Sequence, residues 1–295
     1  CVPKMFPFCT AEQKRTPYSV VVSTSAGSAA KHAGLKVGDR IVSVNGHKVH
    51  KAEDVQNALD RSDGTVELKV LRNKKENTLR LSPTVTPNGP KLGVYLKQGV
   101  TGIGTVTWYD PDTGKFATLG HGVNNPRGEL LKMVSGNAYS ASVVSVRKGQ
   151  CGQPGQLMGA LKGAEPIGTL YKNCNQGLFG KAAANWKGAP VPVADSSEIK
   201  TGPAVIRSTV QGDTVQEYSV EILKVYPVAG TTGRNMLLKI TDEKLLATTG
   251  GIVQGMSGSP IIQDGKLVGA VTHVLVNDPT TGYGIFIENM LDAAA

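Results

Sequence analysis

The chain has 295 residues, enough for about two domains, and is 40% hydrophobic and 19% charged with 36 glycines and 16 prolines. That composition excludes a disordered polymer and a helical bundle, and suits short strands joined by turns. The net charge of +9 comes from scattered Lys and Arg, with no basic run of five, a pattern that argues against nucleic acid as a partner.

No stretch approaches the roughly 18 apolar residues that cross a bilayer. The start, Cys1 to Cys9, lacks the apolar core of a signal peptide. If the protein is exported, its N-terminal membrane or targeting segment lies outside this chain. The four cysteines, Cys1, Cys9, Cys151 and Cys174, fit no zinc spacing. They permit Cys1–Cys9 and Cys151–Cys174 bridges in an oxidising compartment, and free buried thiols equally well. No metal or cofactor is implied.

After an N-terminal segment, 1–15, a strand is expected from Tyr18 to Val22. A short helix from Ala29 follows, stopped by Gly34, which suits a left-handed cap. Gly38-Asp39 makes a turn, and Ile41, Val42 and Val44 form a strand closed by the Asn45-Gly46 turn. Val55, Ala58 and Leu59 share one face of a helix over Ala52 to Leu59, and strands follow at Val66 to Val70 and Thr78 to Leu81. This order resembles a bacterial PDZ domain, an α+β module in which a peptide adds as a strand beside that helix. Such domains carry an apolar-Gly-apolar loop that receives a carboxylate, and none stands upstream of Tyr18. We place the PDZ-like domain at 16–83 and a linker in the proline-rich 84–91.

The remainder, 92–292, reads as many short strands, among them Thr105 to Tyr109, Lys115 to Ala117, Ser142 to Val146, Ala204 to Arg207, Tyr218 to Val225 and Met236 to Ile240. A β-barrel or sandwich is expected. Near the end stands Gly255-Met256-Ser257-Gly258-Ser259-Pro260, a glycine-flanked turn that lifts one serine out of the β framework. The same turn can aim the backbone N–H groups of Gly255 and Ser257 at one point, as an oxyanion hole requires. Read alone, it is also an ordinary glycine-rich hairpin.

A serine needs a base beside it to become a nucleophile. Of the five histidines, His32, His47 and His50 fall in the PDZ-like module. His121 follows a strand and sits between Gly120 and Gly122, which leave its imidazole clear, so it is the expected base. His273, the other candidate base, lies in an apolar strand, and Thr272, His273 and Val274 are expected along the substrate path. The order of histidine, glycine-flanked serine, hairpin at Gln263 to Lys266 and Gly-Ala-Val-Thr strand is similar to chymotrypsin-like proteases. The fold expected is mainly β, a PDZ-like domain followed by a chymotrypsin-like double β-barrel.

The segments Gly102-Ile103-Gly104-Thr105, Leu119-Gly120-His121, Leu238 to Asp242, Gly251 to Pro260 and Gly269 to Pro279 closely resemble the stage IV sporulation protein B peptidases. In that family a PDZ domain precedes a serine peptidase, and the resemblance implies catalytic roles for His121 and Ser257. It also places the suggested acidic member on Asp242, which by local pattern equally suits a helix cap; Asp195 and Glu165 are remoter substitutes, and a Ser-His pair without an acid is open too. The resemblance implies limited proteolysis during endospore formation, with cleavage of the protein itself and of a membrane-associated regulator of transcription-factor processing. It implies a site of action outside the cytoplasm, between forespore and mother-cell membranes. The rivals are a non-catalytic PDZ scaffold and a general extracytoplasmic quality-control protease, in which the protease precedes its PDZ modules.

Overall fold

The computed structural model describes residues 9–11, 19–49, 52–87, 89–97, 100–124, 128–131, 133, 136–163, 165–228 and 234–295. The chain forms two compact units, one of residues 12–100 and one of residues 1–11 with 101–295.

In the smaller unit the strands run in the order Lys75–Leu81, Val66–Arg72, Arg40–Val44, Ser19–Thr24, Val94–Lys97, with helix Ala52–Asp60 packed against the sheet. Alternation on Val66–Arg72 buries Val66, Leu68 and Val70 against Val55, Ala58 and Leu59 of the helix, one continuous apolar core. Asn45 and Gly46 both take positive φ, as their tight hairpin demands. Asp39, 1% exposed, accepts from Arg72 Nε at 2.7 Å, Arg72 Nη2 at 2.6 Å and the Lys36 N–H at 2.8 Å. Burial opposes its charge, but these donors outweigh burial and hold its carboxyl below the usual range.

The boundary differs from the sequence expectation. Residues 84–91 are not a linker: Thr84–Thr86 and Gly89–Lys91 pair as a hairpin. Gln56 donates to the Pro90 carbonyl at 3.1 Å and accepts from Lys91 at 2.7 Å, which ties the hairpin to the helix. Strand Val94–Lys97, expected in the peptidase, completes the smaller sheet as its edge. Prolines mark the end of regular central strands, and here they mark only a hairpin turn and its rim.

The larger unit combines a closed barrel with an open sheet. The barrel runs Gly202–Ser208, Gln216–Val225, Met236–Ile240, Asp278–Phe286, Lys266–Leu275, Pro260–Gln263 and back to the first strand. Its interior holds Ile206, Val220, Leu238, Ile261 and Val271, each almost wholly buried. The expected first barrel is instead a seven-stranded open sheet, ordered Val100–Gly102, Cys9–Ala11, Gly136–Ala138, Gly168–Cys174, Gly177–Ala182, Lys115–Thr118, Val106–Tyr109. Trp186 stacks on Tyr109 and Phe116 over one face of it, with ring centroids 4.9 and 5.0 Å away. Strand Cys9–Ala11, expected in a separate N-terminal segment, is an inner member of this sheet, next to its edge.

Cys151 and Cys174 are free thiols, so the bridge considered between them is not formed. One sits in the exposed turn around Gln150 and Gln153, the other at the end of a sheet strand. The Cys1–Cys9 pairing and His50 lie outside the described residues. Among the described residues no helix is long and apolar enough to cross a membrane.

Candidate active site

Helix Glu243–Thr249 delivers the chain to the serine turn. It ends at Gly250 in the left-handed conformation, φ 74°, whose N–H bonds back to Leu246. The turn itself needs glycine at two places. Gly255 has φ 103° and Gly258 φ 91°, and a Cβ on Gly258 would lie 2.1 Å from the Thr105 carbonyl oxygen. The Met256, Gly258 and Ser259 N–H groups donate to the carbonyls of Val253, Val271 and Met256. The Gly255 and Ser257 N–H groups have no acceptor among the described residues. These are the two donors that the sequence assigns to the oxyanion hole, left free for an incoming charge.

The base turn is strained. Leu119 has φ 71° and Gly120 φ 67°, and two successive left-handed residues swing the chain out of strand Lys115–Thr118 so that His121 faces the serine turn across the cleft. At Gly120 a Cβ would meet Ile285 and Thr272 methyls at 2.9 Å. His121 Nδ1 lies 3.0 Å from the Gly122 carbonyl oxygen. A carbonyl only accepts, so Nδ1 carries the proton and Nε2 is left as the base. Burial pushes the imidazole below its ordinary pKa, with the Gly122 bond acting the other way, so the ring is neutral at pH 7, as a general base must be.

Thr105 joins the two turns. Its N–H donates to the Ser257 carbonyl at 2.8 Å and its hydroxyl to the Gly255 carbonyl at 3.1 Å, while its own carbonyl accepts from the Thr118 hydroxyl at 2.6 Å. Thr107 adds a hydroxyl bond to the Gly258 carbonyl at 2.8 Å. In the sequence Thr105 stands only at the start of an expected strand and within a resembling segment. Its partners stand 13 and 150 positions away, and no local pattern carries that.

His121, Gly255, Ser257 and His273 line one cleft of about 690 Å³. The imidazoles of His121 and His273 lie with centroids 5.0 Å apart, tilted by 41°. Burial, the neighbouring His121 and Arg234 together lower the His273 pKa to about 4. Ser257 Oγ donates to the Thr272 carbonyl at 3.0 Å. The hydroxyl therefore rests on the barrel strand, in the cleft it shares with His121.

Asp242 takes the cap role. Its Oδ1 accepts the Leu245 N–H at 2.8 Å and its Oδ2 the Ser219 N–H at 3.4 Å, at the start of helix Glu243–Thr249. It does not line the cleft, and His121 Nδ1 is occupied by Gly122 rather than by a carboxylate. Asp195 caps the turn Ser196–Glu198, and Glu165 is exposed. Of the expected substrate path, Thr272 contributes its carbonyl and His273 its ring. Val274 packs against the barrel core instead, since strand alternation turns it away from His273.

In the smaller unit, the apolar-Gly-apolar loop absent upstream occurs downstream as Leu92-Gly93-Val94. Gly93 has φ 73°, and a Cβ there would lie 2.4 Å from that of Ser28. The loop leads directly into the edge strand Val94–Lys97.

The family described as SpoIVB peptidase S55 matches residues 88–291, and the PDZ domain family matches residues 20–72. The chain belongs to the SpoIVB peptidase S55 family. This S55 chain is a serine peptidase with a PDZ domain at its N-terminal side. Among curated proteins it is 37% identical over 98 residues to a "putative zinc metalloprotease" of Agrobacterium fabrum, a stretch of 33% of this chain and 25% of that protein. A protein of the same description from Mesorhizobium japonicum is 36% identical over 85 residues, 28% of this chain and 23% of the other. The chain thus spans about a quarter of the length of these relatives. Among solved structures, the inactive form of the Rv3671c protease matches with TM-score 0.37 and 15% identity, covering 65% of this chain and 82% of that one. The active form, from M. tuberculosis, matches with TM-score 0.35 and 14% identity, covering 81% and 82%.

Proposed function

We propose that this S55 peptidase performs limited, regulatory proteolysis during endospore formation, cleaving itself and a membrane-associated regulator of transcription-factor processing, with Ser257 as nucleophile and His121 as base. The observation that carries the catalytic part is the shared cleft: a neutral imidazole with its protonated nitrogen fixed by Gly122, and a serine flanked by two unsatisfied N–H donors. The sporulation role is supported by the family. Action outside the cytoplasm, between forespore and mother-cell membranes, follows from that role.

The PDZ domain has a place for a peptide in this reading. The free edge of Val94–Lys97 accepts an added strand, and Leu92-Gly93-Val94 stands at its start, where a peptide carboxylate is held in domains of this type.

The test is cleavage of the purified chain by itself and of a generic unfolded substrate, in wild type, Ser257→Ala and His121→Ala. Both substitutions are expected to lower turnover by at least about three orders of magnitude. Equal cleavage by wild type and Ser257→Ala overturns the nucleophile assignment. Wild type that cuts the unfolded substrate but neither itself nor a membrane-associated regulator turns the reading to general quality control.

A further inference from the structure

Arg234 borders the same cleft as Ser257 and His273, and its guanidinium carbon stands 4.8 Å over the ring of Tyr283. Tyr283 is the cross-strand partner of His273, so the arginine is held on the wall of the site, over an aromatic face that accepts none of its N–H hydrogen bonds in the plane of the fork. Among the described residues it has no ion pair and no hydrogen-bond acceptor. The described lining contains no Asp or Glu, and with His121 and His273 neutral at pH 7, Arg234 supplies its one formal charge. Its field already reaches the site, since it is among the causes that depress His273.

An unpaired guanidinium beside a peptide-cleaving site is a receptor for a carboxylate. The bidentate geometry of Arg with a carboxylate favours Asp or Glu over Asn or Gln of the same shape, and repels Lys or Arg. A chain of net charge +9 also draws acidic segments toward itself over longer distances.

We propose that Arg234 determines specificity by pairing with an acidic side chain of the peptide being cleaved, so that the preferred substrates are segments carrying Asp or Glu close to the scissile bond. This rests on the cleft being the peptidase site, and the experiment separates the two questions by measuring binding apart from hydrolysis. Labelled peptides, identical except for Glu, Gln or Lys at one position moved across the residues on either side of the scissile bond, are titrated by fluorescence anisotropy. The proteins are the 295-residue chain with Ser257→Ala and the same chain carrying Arg234→Gln or Arg234→Glu as well.

At the position facing Arg234, Glu is expected to bind about tenfold more tightly than Gln. The preference disappears in Arg234→Gln, turns toward Lys in Arg234→Glu, and shrinks as salt is raised. Equal binding of all peptides, or a Glu preference that survives Arg234→Gln, overturns the proposal. Hydrolysis of the same peptides by the chain with Ser257 intact reports on the nucleophile alone. A Glu preference in binding without Ser257-dependent cleavage sinks the peptidase assignment and leaves the carboxylate site standing.

Discussion

Asp242 is the residue at which a catalytic and a structural reading meet, and one pair of substitutions separates them. Asparagine caps a helix as well as aspartate does, while alanine removes the cap at a cost of about 1 kcal/mol. As a cap, Asp242→Asn keeps both turnover and thermal stability, and Asp242→Ala lowers the melting temperature with little change in kcat. An acidic member of a triad behaves otherwise: Asp→Asn alone lowers kcat by about 10⁴. Kinetics and thermal melts on the two variants check this. Ser257 and His121 are legible in the sequence because flanking glycines announce turns that expose one side chain. The role of Asp242 is not, because a cap and a triad acid use the same residue type. Val274 adjoins His273 in sequence, and only the alternation of the strand sends them to opposite faces.

Elements explain why the site has its geometry. The serine turn packs so closely on the base turn that Gly258 has no room for a side chain: its Cβ would lie 2.1 Å from the Thr105 oxygen and 2.6 Å from the Leu119 nitrogen. Gly258→Ala is therefore expected to lose at least about 3 kcal/mol of stability, from backbone strain and overpacking together, read as a fall in melting temperature with activity lost alongside.

The two imidazoles of these elements also set a pH dependence. Burial lowers both pKa values from the ordinary 6.5, that of His273 to about 4 with His121 and Arg234 adding to the shift. Each ring binds protons more weakly folded than unfolded. The stability they contribute is whole above about pH 6.5 and is lost as pH falls, for His273 toward about 4. Urea melts across that window should show the fall, and His273→Phe should flatten it. The acid limb of kcat/KM, which follows His121 becoming neutral, should lie below pH 6.5.

At the scale of the whole molecule, the PDZ domain is an insertion in the sheet order. Strands Cys9–Ala11 and Val100–Gly102 are neighbours in the peptidase sheet, and residues 12–100 form the other unit between them in sequence. Excising 12–99 and joining the ends with a short flexible linker should leave the peptidase folded, with a melting temperature within a few degrees of its own transition in the intact chain. Starting the chain at 84 or 92 should destabilise it, because an inner strand is removed. Differential scanning calorimetry of the three chains distinguishes these outcomes.

The strands of both units follow from alternation and turn residues, and the sequence order of PDZ and peptidase is readable directly. The insertion is not, since strand Cys9–Ala11 finds its partners only across the whole length of the smaller unit. The proline-rich 84–91 looks like a linker in sequence for the same reason: its contacts with Gln56 are tertiary.

Thr105 gives the molecule a further property. Its three bonds tie the nucleophile turn, built on the closed barrel, to the base turn, built on the open sheet. Catalytic competence then requires both halves of this one compact unit to be in place together. A nicked or half-melted chain in which these bonds are broken loses the facing of its two turns, so cutting power should fall together with the fold instead of outlasting it.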